Sequence, residues 1–312
     1  MAAITRTASQ ADFSMLRHGA MIAYRWLVLG FLLAADIAAF CTRRQARSDM
    51  KAIVQLAAAA GGPGPAVDYG VVQFDHLVHL VPSLDAAVRD YRALGFTVQP
   101  GGRHPGAGTH NAAWRLDTRY IELIAVCDEP VARAGAGPGW PAIEEMLRAG
   151  GGALAFGVLV EDLTATVADL RSRGVRVGDP QAGSIRRTDG STGEWHTASL
   201  HDGPRWAPFF INYGFPVDQW TARVREQGFP KDPWVLHGVT VQVPDPAASA
   251  SWLGDVLALD AVRTGPDAAE VRLPGCPVMF ARGLADRITA VVITGPGAPQ
   301  GSVAGLRYLD TA

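Results

Sequence analysis

The sequence predicts an α+β protein of paired βαβββ modules forming a curved, cup-shaped mixed sheet, with a third partial module at the C-terminus. Three observations carry that prediction. First, "VPSLDAAVRDYRALGFTV", Val81 to Val98, aligns without gaps on "VEDLTATVADLRSRGVRV", Val160 to Val177. Val81, Leu84, Ala86, Val88, Asp90, Arg92, Gly95 and Val98 each meet the same residue type, where chance would match about one. Second, a short apolar strand precedes each copy, and strand-like runs follow it. Third, Gly95 and Gly174 stand where a helix wants a left-handed C-terminal residue.

Taken in order, each unit reads as strand, helix, then about three strands. "FDHLVHLV", "LAFGVLV" and "LHGVTVQV" are the opening strands. Ser83, Asp162, and Asp245 with Pro246 signal helix starts. Leu84, Ala87, Val88, Tyr91 and Leu94 fall on one helical face. The following strands are "FTVQP", "NAAWRL" and "YIELIAV", then "VRVG", "HTASL" and "FFINY", then "VRLPG", "VMFARG" and "ITAVVIT". One such sheet has a helix on one face and a bare second face. Two units can bring their bare faces together around a cavity.

The expected division is an N-terminal extension over 1–70, a two-module domain over 71–214 and a third module over 215–312. The extension holds an apolar run, Trp26 to Ala35, about half the length a membrane-spanning helix needs, followed by Asp36. It reads as a peripheral helix, or as translated sequence upstream of a later start such as Met50, with a membrane anchor as the lesser alternative. "AAAAGGPGPA", Ala57 to Ala66, reads as a linker.

Hydrophobic residues make up 48% and charged residues 19%, enough for a buried core and against disorder. The net charge of −2 and the lack of a basic stripe argue against nucleic acid. Cys41, Cys127 and Cys276 form neither a disulfide framework nor a metal knuckle, which suits a reducing, cytoplasmic location.

Two sets of residues bear on chemistry. Strand alternation puts His76 on one face of its strand and Glu122 with Tyr120 on one face of theirs. If those strands are neighbours, an imidazole and a carboxylate converge, the start of a divalent metal site. His110 or His196 could complete it or act as general base. A lone strand histidine is more often a satisfied core or rim residue than a ligand, and a lone glutamate more often exposed or paired with arginine. The second set is "GGRHPGAGTHN", Gly101 to Asn111, read as a glycine-rich binding loop, with a tight turn bearing solvated polar side chains as the alternative. Arg103 would clamp an anion there, and His104 and Asn111 would supply directional hydrogen bonds. Trp114 and Trp195 would add apolar walls.

These motifs, with "APFFINY", resemble glyoxalase-like domains of the vicinal oxygen chelate superfamily. The resemblance covers Val72 to about Tyr213, and the third unit in outline only. It implies paired βαβββ units around an open cup that binds a small molecule. It also implies a divalent ion (Zn, Ni, Fe or Mn) serving lyase, isomerase or dioxygenase-like chemistry. His76 matches the first-strand metal histidine and Glu122 the last-strand metal glutamate. In the second unit Ala155 and Asn212 stand at the corresponding places, and in the third Gly238 replaces the histidine, so half of the usual ligand set is missing. A non-catalytic protein that sequesters a small molecule is the alternative. The third unit has no evident fourth, so it could pair with its counterpart in a homodimer or simply cap the sheet.

Overall fold

A computed structural model describes residues 72–228 and 232–310. The Trp26–Ala35 run, the candidate start at Met50 and the linker-like stretch 57–66 lie outside the described residues. Among the described residues no helix is long and apolar enough to cross a membrane.

The first unit is β1 (Val72–Leu80), α1 (Leu84–Ala93), β2 (Val98–His104), β3 (Thr109–Arg115) and β4 (Tyr120–Val126). Two short helices, α2 (Glu129–Ala136) and α3 (Trp140–Arg148), lead to the second unit. That unit is β5 (Gly152–Val160), α4 (Leu163–Ser172), β6 (Gln181–Arg187), β7 (Thr192–Ser199) and β8 (Phe209–Asn212). The helix starts follow the expected chemistry: Ser83, Asp162 and Asp245 each accept a backbone N–H three residues on. Gly95 and Gly174 take φ of 99° and 81°, which a side chain would resist.

The eight strands close into a barrel in the order β1-β4-β3-β2-β6-β7-β8-β5. β1 runs antiparallel to β5 at one seam, and β2 meets β6 at the other through Gly102 and Arg103 opposite Arg187 and Arg186. The second seam needs glycine, since a β-carbon on Gly102 would lie 2.2 Å from the Arg186 carbonyl oxygen.

After α5 (Val217–Glu226), the third unit comprises β9 (Val235–Val243), α6 (Pro246–Leu257), β10 (Ala261–Gly265), β11 (Ala268–Val271) and β12 (Val278–Arg282). Here the sequence reading needs correction. "ITAVVIT" is not the last strand of the third unit: β13 (Arg287–Thr294) runs antiparallel to β9, as β5 does to β1. It opens an abbreviated fourth unit without a helix, completed by β14 (Gly301–Val303) and β15 (Leu306–Asp310) in one seven-stranded sheet. "VRVG" and most of "VRLPG" are not strands either. Val177 makes only an isolated bridge to Leu200, while β6, β10 and β11 use more polar segments with a weaker alternation signal.

The two sheets meet at a buried polar knot. His79 Nδ1 lies 2.7 Å from the Tyr91 hydroxyl, His79 Nε2 donates to the Ala304 carbonyl at 2.9 Å, and Tyr91 and Tyr308 share a short hydroxyl–hydroxyl bond. Burial lowers the His79 pKa from 6.5 to about 4, opposed by the Ala304 hydrogen bond. The unfolded chain therefore binds an extra proton between those values. The resulting stability is complete above about pH 6.5 and is lost as pH falls toward 4. In urea titrations from pH 7.5 to 4.5, His79→Gln should lose distinctly less stability than wild type, because glutamine can bond both partners without titrating. Parallel losses in the two proteins would show that His79 is not the group responsible.

Candidate functional site

A β-bulge builds the first part of the site. Phe74 pairs with Val158 and His76 with Gly157, so Asp75 is the extra residue on β1. Strict alternation would send Asp75 away from His76. Instead, His76 Nδ1 donates to Asp75 Oδ2 at 2.5 Å. The Tyr213 hydroxyl donates to the same oxygen at 2.8 Å, while Asp75 Oδ1 has no donor among the described residues. His76 stacks on Tyr120 with ring centroids 4.6 Å apart and meets the edge of Phe209. A β-carbon on Gly157 would come within 3.0 Å of the imidazole, so a glycine in the second unit makes room for the first unit's histidine. Burial above all, with the Asp75 charge next, raises the Tyr120 and Tyr213 pKa values, which keeps both phenols as donors.

The neighbouring parallel strand supplies the carboxylate. β1 pairs with β4, and His76 Nε2 lies 3.5 Å from Glu122 Oε2. The side chains of His76 and Glu122 are only 5% and 11% exposed, so neighbours rather than bulk water must satisfy them. Asn111 does this for Glu122, donating from Nδ2 to Oε1 at 2.5 Å, while its Oδ1 accepts the Gly102 N–H at 2.8 Å. His104 Nε2 stands 3.8 Å from Glu122 Oε1, and its pKa is lowered chiefly by burial.

The glycine-rich stretch forms a hairpin between β2 and β3. Gly101 and Gly102 sit together opposite Asn111, a second bulge. A β-carbon on Gly101 would lie 1.9 Å from Asn111 Oδ1, so the glycine vacates the space that the asparagine amide fills. The bulge also shifts the facing of the residues after it. His104 turns inward beside Trp195, with ring centroids 5.7 Å apart, and Arg103 turns out to solvent.

The structure thus brings together His76, Glu122, Asn111, His104 and Trp195, and separates the remaining expected residues. Arg103 pairs with His110 on the outer face, where His110 feels Arg103 and Asp85 rather than Glu122. Trp114 lies on the opposite face of β3 from Asn111, packs on Phe96 and donates to Asp232 at 2.8 Å. His196 is exposed and lines a separate cavity of about 410 Å³ with Glu161, Asp162 and Phe215. Asp75 and Tyr213 were missed. A bulge hides Asp75 from alternation, and only the "FDH" adjacency hints at it.

As arranged here, the donor set is not gathered around a divalent ion, although His76 and His104 both approach Glu122. Asn111 already occupies Glu122 Oε1, and His110 and His196 are elsewhere. Ala155 has no donor, and Asn212 spends its amide on the Val160 and Glu161 carbonyls. Among the described residues no three His, Cys, Asp or Glu side chains are arranged to hold a metal. In the third unit, Met279 faces Thr240 as Glu122 faces Val78, and its methyl lies 2.5 Å from where a β-carbon on Gly238 would be. The corresponding site there is filled by an apolar side chain.

The sequence profile of the glyoxalase-like domain matches residues 74–257, more than half of the chain. The chain belongs to the glyoxalase-like domain family. Its fold is shared with a hypothetical protein from Staphylococcus aureus, 19% identical, covering 77% of this chain and 100% of that one at a TM-score of 0.67. Two members of the wider vicinal oxygen chelate superfamily are also similar. A methylmalonyl-CoA epimerase from Streptomyces coelicolor is 24% identical, covering 47% of this chain and 100% of its own at a TM-score of 0.34. A 4-hydroxymandelate synthase from the same organism is 11% identical, covering 72% and 71% at 0.46. No curated protein matches the sequence.

In this glyoxalase-like barrel, Gly101→Ala should displace Asn111 and lower stability by about 1–3 kcal/mol in urea denaturation. A change within about 0.5 kcal/mol, the usual range for a surface substitution, would mean that the bulge does not clamp the amide.

Proposed function

We propose that the protein binds a small polar or carboxylated organic molecule inside the barrel and moves a proton on it, in the manner of an isomerase or lyase. The observation that carries this reading is the buried chain from Asp75 through His76 to Glu122. Asp75 accepts the Nδ1 hydrogen and so leaves Nε2 turned toward Glu122. An imidazole nitrogen and a carboxylate oxygen 3.5 Å apart can take a proton from one position on a ligand and return it at another. Asn111 fixes the Glu122 carboxylate and Tyr213 fixes Asp75, so the pair needs little rearrangement to react. Trp195 and Phe209, from the second unit, flank the two histidines and exclude water. The domain boundaries that serve this reading are those expected from the sequence, with the two-module barrel over 71–214 as the reacting part.

The reaction can be read without knowing the physiological substrate. In D₂O, the full chain should catalyse hydrogen–deuterium exchange into at least one member of a panel of 2-oxo and 2-hydroxy acids, followed by proton NMR. Dialysis against EDTA should leave the rate unchanged. His76→Gln and Glu122→Gln should each lower it by about 100-fold or more, with thermal midpoints close to wild type. Binding of panel members without exchange would overturn the enzymatic reading and favour sequestration. Exchange abolished by EDTA would overturn the metal-free form of the chemistry.

A further inference from the structure

One rung inside the barrel crosses three adjacent strands. Gln99 on β2 stands opposite Ala113 on β3, and Ala113 stands opposite Glu122 on β4. Directly paired residues of antiparallel strands project to the same side. The Gln99 amide, the Ala113 methyl and the Glu122 carboxylate therefore share the interior. With strands about 4.8 Å apart, the Gln99 and Glu122 backbones are separated by about 10 Å, and a single methyl group stands between their side chains.

The two ends of this rung differ in one respect. Glu122 has Asn111 as a partner, whereas Gln99 Nε2 is buried with no hydrogen-bond partner among the described residues. A buried amide donor left unpaired destabilises the fold. Leucine or methionine would fill the same space without that cost. The facing wall includes Trp195, Phe209, Ile185 and Ile211 of the second unit, and the exposed Arg187 shares the Ile185 face of β6 beside Gly193.

Building on the proton-transfer reading above, we infer that Gln99 is a ligand-binding residue whose amide donates to a carbonyl or carboxylate oxygen of the bound molecule. The molecule lies over Ala113. Its oxygen-bearing end meets Gln99, its reacting end meets Glu122 and His76, and an apolar or aromatic body faces the second unit's wall. This narrows the ligand class to small acids or ketones with one apolar side.

The test uses 4-fluorophenylacetate, which joins a carboxylate to a flat apolar ring, titrated into the full chain and followed by fluorine NMR. Wild type is expected to bind. Gln99→Met should raise Kd about tenfold or more and raise the thermal midpoint of the ligand-free protein, because an unpaired donor has been removed. Ala113→Val, which narrows the gap without touching the amide, should also weaken binding. Unchanged binding in both the Gln99 and Ala113 variants would overturn the inference, as would a Gln99→Met protein with a lower ligand-free midpoint. If that happens while exchange still depends on His76 and Glu122, only the Gln99 assignment falls. A wild-type chain that neither binds the probe nor catalyses exchange sinks both.

Discussion

A carboxylate inside a β-barrel has to be satisfied by its neighbours, because water cannot reach it at low cost. This barrel holds two, Asp75 and Glu122, one at each side of His76. The local architecture follows from meeting that need. The β1 bulge delivers Asp75 to the imidazole, and Tyr213 reaches across from the second unit to the same oxygen. The glycine bulge in β2 opens the space in which Asn111 grips Glu122. Without the glycine bulge Glu122 would lose its Asn111 hydrogen bond, and without the β1 bulge His76 would lose Asp75.

The two halves of the barrel are not equivalent, although their sequences repeat. The first unit contributes the groups that can exchange protons, and the second contributes Gly157, Phe209, Ile211 and Trp195, which give room and apolar walls. The second sheet carries the division further, since Gly238 and Met279 close the equivalent position with hydrocarbon. One repeated scaffold has thus been used once as a polar interior and once as packing. The His79–Tyr91–Tyr308 knot fastens the two sheets where a helix is missing from the fourth unit.

The fold was largely legible in the sequence, because the ungapped match of the first two units exposed the strand–helix–strand order and its capping residues. Strands with a clear apolar period, such as those of His76 and Glu122, were found, and the adjacency on which their convergence was conditioned is met. Two of the misreadings share one physical origin. Alternation assumes an unbroken ladder, and the site is built at places where the ladder is broken. The Gly101–Gly102 bulge turned Arg103 out and His104 in. The Phe74–His76 irregularity concealed Asp75. His110 and Trp114 were assigned to the site from their proximity in sequence, while their strand, once located by its pairing with Glu122, puts both on its other face. The fourth unit escaped because it has no helix, and the helix was the most readable part of the repeat.

The central claim is that Asp75 holds the Nδ1 hydrogen of a buried His76 whose other nitrogen faces Glu122. Proton–nitrogen correlation NMR on histidine-labelled protein reads this directly. A slowly exchanging, strongly downfield Nδ1–H resonance of His76 is expected in wild type, and it should vanish in Asp75→Ala while the backbone spectrum is otherwise retained. Absence of such a resonance in wild type, or its persistence in Asp75→Ala, would contradict the claim.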